Sequence, residues 1–148
     1  MQTASDTPRQ EALGVLANAE MADLSAVWQI WENRPEVQTL RGAETGLVML
    51  RGRTGGGGAP FNLGEATVSR ASVRIDTGEV GHGYCLGRDT EKAGLIAVID
   101  ALFQREPDNV EFAILRPLRD IAWARNTQRR EETAATKVDF FTMVRGED

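Results

Sequence analysis

ATVSRASVRIDTGEVGHGYCL, residues 66–86, has the pattern of two β-strands joined by a tight turn. In the first strand, apolar residues recur at every second position from Ala71 to Ile75, the period of a strand with one buried face. Asp76-Thr77-Gly78 has the composition of a hairpin turn, and residues 79–86 return as the next strand. A short connection of this kind implies antiparallel pairing.

Two further strands are predicted upstream, at residues 37–40 and 45–53. The second carries apolar residues on both faces, which favours a strand covered on two sides. These residues are Leu47 and Met49 on one face, and Val48 and Leu50 on the other. The glycine run Gly55 to Gly58 and Pro60 then form a loop before the hairpin.

Helices are predicted on both sides of this β-region. Pro8 suits the first turn of one helix, and a second begins near Asp23 and ends before Pro35. Both tryptophans of the second helix, Trp28 and Trp31, fall at core spacing. These two short helices form an N-terminal helical hairpin.

The last third of the chain is predicted to be mainly helical. Asp89 is a good N-cap for a helix to about Gln104, and a polar helix covers about 117–133. Residues 110–115 fit either a strand or a helical turn. We therefore predict a single α+β domain over residues 1–148, with an antiparallel sheet of about four strands and helices at both ends.

Composition excludes several classes of function. The 148 residues include 17 Lys and Arg against 22 Asp and Glu, a net charge of −5 that argues against nucleic-acid binding. There is no apolar run near the roughly 18 residues of a membrane span, and the polar N-terminus does not resemble a signal peptide. The single cysteine, Cys85, suits a reducing compartment. These features predict a cytoplasmic protein that binds neither membrane nor nucleic acid.

Catalytic side chains are scarce. The only histidine and the only cysteine, His82 and Cys85, lie three positions apart in one predicted strand, so their side chains point to opposite faces. They cannot form a thiolate–imidazole pair there. One histidine and one cysteine also fall short of the ligands that a zinc site needs. We therefore predict no catalytic residue, no metal site and no cofactor in this chain.

Two glycine-rich stretches have alternative interpretations. Arg51 and Arg53 stand beside the run at 55–58, which either cradles phosphates or forms a plain hairpin loop. The Lys-Ser or Lys-Thr of a Walker loop is missing, so Arg51 and Arg53 are only candidate anion-binding residues. Gly81 and Gly83 have the wrong spacing for a dinucleotide site and favour close approach of another backbone.

The C-terminal tail, VDFFTMVRG at residues 138–146, is apolar and follows a polar helix. Each of its apolar side chains would contribute roughly 1.5–3 kcal/mol on full burial, so leaving the segment in water is costly. The tail either folds back as a closing strand or docks on a partner. The residues concerned are Val138, Phe140, Phe141, Met143 and Val144.

Five stretches carry a resemblance to a known family: RGAETGLVM (41–49), GEATVSR (64–70) with Val73-Arg74, LGRD (86–89), IDAL (99–102) and the tail at 138–146. Together they resemble the small G subunit (PhnG) of the bacterial carbon–phosphorus lyase core complex. Many members carry Cys where this chain has Ala71, so any chemistry of that Cys is missing here.

The resemblance implies an assembly with two copies each of four subunits. In it, the I subunit displaces adenine from ATP to form ribose 1-phosphonate 5-triphosphate, and the J subunit later cleaves the carbon–phosphorus bond. The G subunit supports the first step without assigned catalytic residues. It implies I as chief partner here, with H and J in the same assembly. Our predicted interface residues are Arg41, Glu44, Arg70, Arg88, Val138, Phe140, Phe141, Met143, Val144 and Arg145.

Two alternative functions stay open at this point. The chain could be a stand-alone phosphate- or nucleotide-binding enzyme that grips phosphates with Arg51, Arg53, Arg70 or Arg88 and uses His82 as a base. It could also be a homo-oligomeric module that binds a small anion. For an isolated accessory subunit, we expect some self-association.

Overall fold

The computed structural model describes residues 7–137 and shows an α+β fold. Two short helices precede a three-stranded antiparallel sheet, and a long helical region follows it. A 3₁₀ turn (Thr54–Gly56) follows β1, and a π-helical turn (Glu111–Leu115) joins α4 to α5. The elements are α1 (Pro8–Asn18), α2 (Met21–Ile30), β1 (Val37–Arg53), β2 (Pro60–Ile75), β3 (Val80–Leu86), α3 (Thr90–Arg105), α4 (Pro107–Val110) and α5 (Arg116–Ala135).

Over the described residues the sheet has three strands in the order β1-β2-β3, slightly fewer than the predicted number of about four. The two strands predicted at 37–40 and 45–53 are one continuous strand, β1. Register shifts between Thr39 and Arg41 and between Arg41 and Glu44 absorb the intervening residues as bulges. A bulge inserts residues without ending a strand, and no turn separates the two segments. The predicted hairpin between β2 and β3 is confirmed.

Helix α3 packs directly on the backbone of β3. A Cβ atom added to Gly81 would lie 1.9 Å from the carbonyl oxygen of Ala97, and one added to Gly83 would lie 1.8 Å from that of Ala93. Neither position has room for a side chain, because the obstacle is helix backbone. The prediction that these glycines allow close backbone approach is confirmed.

A buried carboxylate links three elements of the fold. Asp100 of α3 accepts hydrogen bonds from Nε and Nη2 of Arg9 in α1, at 2.8 and 2.7 Å. It also accepts one from the backbone N–H of His82 in β3, at 2.8 Å. The Asp100 side chain is only 1% exposed, so these donors replace the water that the charge would otherwise need.

The main core lies between α3, the inner face of β2 and β3, and the other helices. Trp31 is buried in this core and Trp28 packs against it, as predicted. The ambiguous segment at 110–115 is helical, and its π-helical turn lies just before Pro117. Pro117 has no N–H to donate to the carbonyl four residues before it. The residue before it, Arg116, donates its N–H to the carbonyl of Glu111, five residues back, which is the π-helical pattern.

Candidate functional site

The outer face of the sheet, opposite α3, carries a set of polar side chains from all three strands. Strand register arranges them in two rows, Glu44–Arg70–Tyr84 and Arg41–Ser72–His82, each crossing β1, β2 and β3. Alternation along β2 and β3 directs these residues away from the core. We call this set the polar cluster: Arg41, Glu44, Arg70, Ser72, His82 and Tyr84.

One carboxylate serves two guanidinium groups in the polar cluster. Nε of Arg70 donates to Oε1 of Glu44 at 2.7 Å, whereas Nη1 of Arg41 lies 3.6 Å from the same oxygen. The Arg41 contact is too long for a hydrogen bond. The nearby phenol of Tyr84 and the Glu44 carboxylate both raise the pKa of Arg70. Because it contains two arginines and one glutamate, the cluster has more positive than negative charge, in a chain whose net charge is −5.

The ring of His82 is held by a neighbouring hydroxyl. Its Nδ1 lies 2.9 Å from Oγ of Ser72, the residue directly opposite on β2. His82 is exposed on the outer face, whereas Cys85 is buried on the inner face. Burial raises the pKa of the Cys85 thiol. The prediction that these two side chains cannot pair is confirmed.

The polar cluster surrounds a shallow depression of about 440 Å³ in the outer face. The depression spans the three strands and opens to solvent. Its lining comprises Leu40, Arg41, Arg70, Ala71, Ser72, His82 and Tyr84. Ala71 borders the depression through its backbone, since its side chain is buried in the core on the inner face of β2.

A second surface lies further along the same sheet, where β1 and β2 continue as a two-stranded ribbon. We define the ribbon as residues 47–65; the structure describes all of them, and none is buried. Apolar side chains on it are 45–65% exposed. They are Leu47, Met49, Leu50, Phe61 and Leu63. The prediction that this strand is covered on both sides is wrong for the described residues, because α3 does not extend over the ribbon.

The other predicted site residues do not join the polar cluster. Arg51 and Arg53 lie at the far end of β1, paired with Asn62 and Pro60, and both are exposed. Arg88 is exposed in the connection between β3 and α3. The predicted tail residues, Val138, Phe140, Phe141, Met143, Val144 and Arg145, lie outside the described residues.

Other residues from the resembling stretches meet at the inner end of the sheet. The buried Ser69 hydroxyl donates to the carbonyl of Gly87 at 2.8 Å and lies 3.2 Å from the hydroxyl of Thr45. This contact ties β1, β2 and the end of β3 together. These side chains therefore hold the three strands together.

Residues 7–137 can be searched for metal-binding groups and for membrane-spanning helices. That part of the chain contains no group of three or more His, Cys, Asp or Glu side chains placed to hold a metal ion. None of its helices is both long enough and apolar enough to cross a membrane.

Comparison with known proteins identifies the family. The family described as phosphonate metabolism protein PhnG matches residues 7–146. The chain is also 54% identical over 141 residues to the alpha-D-ribose 1-methylphosphonate 5-triphosphate synthase subunit PhnG of Rhizobium meliloti (strain 1021). That alignment covers 95% of this chain and 90% of the relative. The resemblance seen in the short stretches thus extends over nearly the whole length, and the chain belongs to the PhnG family.

Proposed function

We propose that this chain is an accessory subunit of a ribose 1-methylphosphonate 5-triphosphate synthase, as its relative's name describes that protein. In this role it supports the formation of the ribose triphosphate product from ATP and an alkylphosphonate, in the cytoplasm. It contributes binding surface and neither catalytic residues nor a cofactor of its own. Its chief partner is the I subunit, with H and J in the same assembly.

The exposed ribbon is the observation that carries this proposal. Soluble monomers rarely leave contiguous large apolar side chains in water, and such patches mark interaction surfaces. Leu47 and Leu63 are 65% and 62% exposed, and full burial of such a side chain contributes roughly 1.5–3 kcal/mol. A partner that covers the ribbon would recover this free energy.

The shape of the ribbon favours insertion into a partner over flat contact. Leu47 and Met49 lie on one face of β1, and Leu50 lies on the other. In addition, β1 pairs only with β2 among the described strands, so its second edge is open to strand addition. A groove that grips both faces, or adds a strand at the edge, would satisfy these groups together.

The test is capture of the chain by the purified I subunit. We expect the double variant Leu47→Ser/Leu63→Ser to lose at least tenfold in affinity, because two apolar side chains no longer enter the interface. Its thermal midpoint should stay close to that of wild type, since both residues are exposed. The matched control is Ile30→Ser, which changes a 78% exposed apolar residue on α2. Equal capture of the ribbon variant and the control would contradict the proposal.

The tail and the catalytic role need separate experiments. A chain truncated after Lys137 that remains folded should bind the I subunit less tightly if the tail docks on it, and equally well if it does not. The stand-alone enzyme alternative predicts adenine release from ATP and phosphonate by the isolated chain. Release above a heat-inactivated control would therefore overturn the accessory role.

A further inference from the structure

We propose that the polar cluster is a binding site for a tetrahedral oxyanion, the phosphate or phosphonate group of a small molecule. This site goes beyond the proposed assembly role and does not depend on it, because it uses different residues from the apolar ribbon. It also differs from the anion site predicted at Arg51 and Arg53.

The guanidinium groups of Arg41 and Arg70 supply the charge. Both line the depression, and Glu44 is the carboxylate that they share. Arg70 already bonds to Glu44, but Arg41 lies 3.6 Å from it and keeps its donors for another acceptor. Guanidinium groups donate several N–H bonds in a plane that matches phosphate oxygens, so Arg41 is the principal anchor.

Uncharged donors on the third strand complete the site. The bond between Ser72 and Nδ1 fixes the ring of His82. In the tautomer in which the Ser72 hydroxyl donates to Nδ1, Nε2 carries the proton and can donate into the depression. The phenol of Tyr84 lies beside Arg70 and can direct its O–H towards the same space. Donors from three strands thus converge on a concave surface, the arrangement that a tetrahedral group with several acceptor oxygens requires.

The depression lies in the range of about 300–1,000 Å³ typical of small-molecule sites, yet it is open. Its charged groups are well solvated: the side chains of Arg41 and Arg70 are 52% and 43% exposed. Exposed charge pairs contribute little each, so a single phosphate or phosphonate group should bind with a Kd of about millimolar.

The experiment is a titration of the full-length ¹⁵N-labelled chain by NMR, at constant ionic strength, with methylphosphonate, inorganic phosphate and tripolyphosphate. We expect saturable amide shifts at Arg70, His82 and Tyr84. Tighter binding of methylphosphonate would assign the site to the phosphonate substrate class. Tighter binding of tripolyphosphate would assign it to the phosphate chain of a nucleotide. Either result supports the oxyanion site.

Three single variants make the test specific. Arg41→Gln should weaken binding at least fivefold, because it removes the principal anchor. Glu44→Gln should strengthen binding about three- to tenfold, because it removes the competing carboxylate. Arg74→Gln is the matched control: it removes one charge from an exposed arginine of the same strand that does not line the depression. It should change binding less than twofold.

Two outcomes would overturn the proposal. Equal effects of Arg41→Gln and Arg74→Gln would show attraction by overall charge without a site. Absence of saturable shifts, together with loss of I-subunit capture by Arg41→Gln, would show that the cluster contacts a carboxylate of the partner protein instead.

Discussion

Arg9 and Asp100 are 91 residues apart in the chain, and the Arg9 guanidinium donates two hydrogen bonds to the Asp100 carboxylate. The same carboxylate also accepts the backbone N–H of His82. One buried carboxylate therefore connects helix α1 to both α3 and strand β3. Removal of either side chain leaves the other charge without its partner. The loss of stability is greater when the unpaired charge is the carboxylate of Asp100, because it is the more deeply buried of the two.

We expect Arg9→Ala to lower the free energy of unfolding by about 2–4 kcal/mol. The value is below the full cost of breaking a buried pair, because Arg9 is 39% exposed and water can approach Asp100 from its side. Urea denaturation of the isolated chain measures the change, with Arg74→Ala as a control at an exposed arginine. A loss of less than 0.5 kcal/mol would show that water solvates Asp100 as well as Arg9 does.

The close packing of α3 on β3 gives a second prediction. We expect Gly83→Ala to destabilise the chain by about 3 kcal/mol or more, since its Cβ would lie 1.8 Å from the carbonyl oxygen of Ala93. Gly94→Ala is the matched control, because this position of α3 has no neighbouring atom within 4 Å. It should stabilise the chain by about 0.5–1 kcal/mol through helix propensity. Thermal unfolding of both variants distinguishes them, and similar midpoints would refute the packing described here.

The junction of α3 and α4 predicts a dependence on pH. Hydrogen bonds from Asn109 and then from Arg105 lower the pKa of Glu106 below its usual value of 4.5. A carboxyl group whose pKa falls on folding adds stability above the unfolded-state pKa, and this stability is lost as pH falls through the folded-state value. We expect Glu106→Gln to cost about 1 kcal/mol near pH 7, and this cost should become smaller as pH falls below 4.5 towards the folded-state pKa.

Chemical denaturation near pH 7 and below pH 4.5 measures this difference. The control is the same substitution in an Asn109→Ala background, where the hydrogen bond from Asn109 to Glu106 is already absent. The pH-dependent difference should shrink there. A difference of equal size in both backgrounds would assign the pKa shift to Arg105 alone.

Much of the fold could be predicted from local signals. The turn at Asp76-Thr77-Gly78, the N-cap at Asp89 and the glycines at 81 and 83 act over a few residues, and all three predictions are confirmed. The predicted strand count was slightly too high for the described residues, because the bulges between Thr39 and Glu44 resemble a break when only the sequence is read. Bulges depend on the pairing partner, and sequence alone does not reveal that partner.

The candidate site could be predicted only in part. Once the hairpin turn is placed, antiparallel register puts Ser72 opposite His82 and Arg70 opposite Tyr84, so those pairs were within reach of sequence reasoning. The contribution of β1 was not, because its register passes through the bulge. The Arg9–Asp100 pair was also missed, since nothing local connects the start of the chain with the middle of α3.

The ribbon also has a consequence for gene dosage. In the described part of the chain, Leu47, Met49 and Leu63 are exposed beside an edge of β1 that pairs with no described strand, a combination that promotes aggregation. Copies made in excess of their partners are therefore expected to be bound by chaperones or degraded by proteases before assembled copies are. If partner subunits cover the ribbon as proposed, balanced synthesis with them would protect each chain, and expression of this chain alone should yield less soluble material than co-expression.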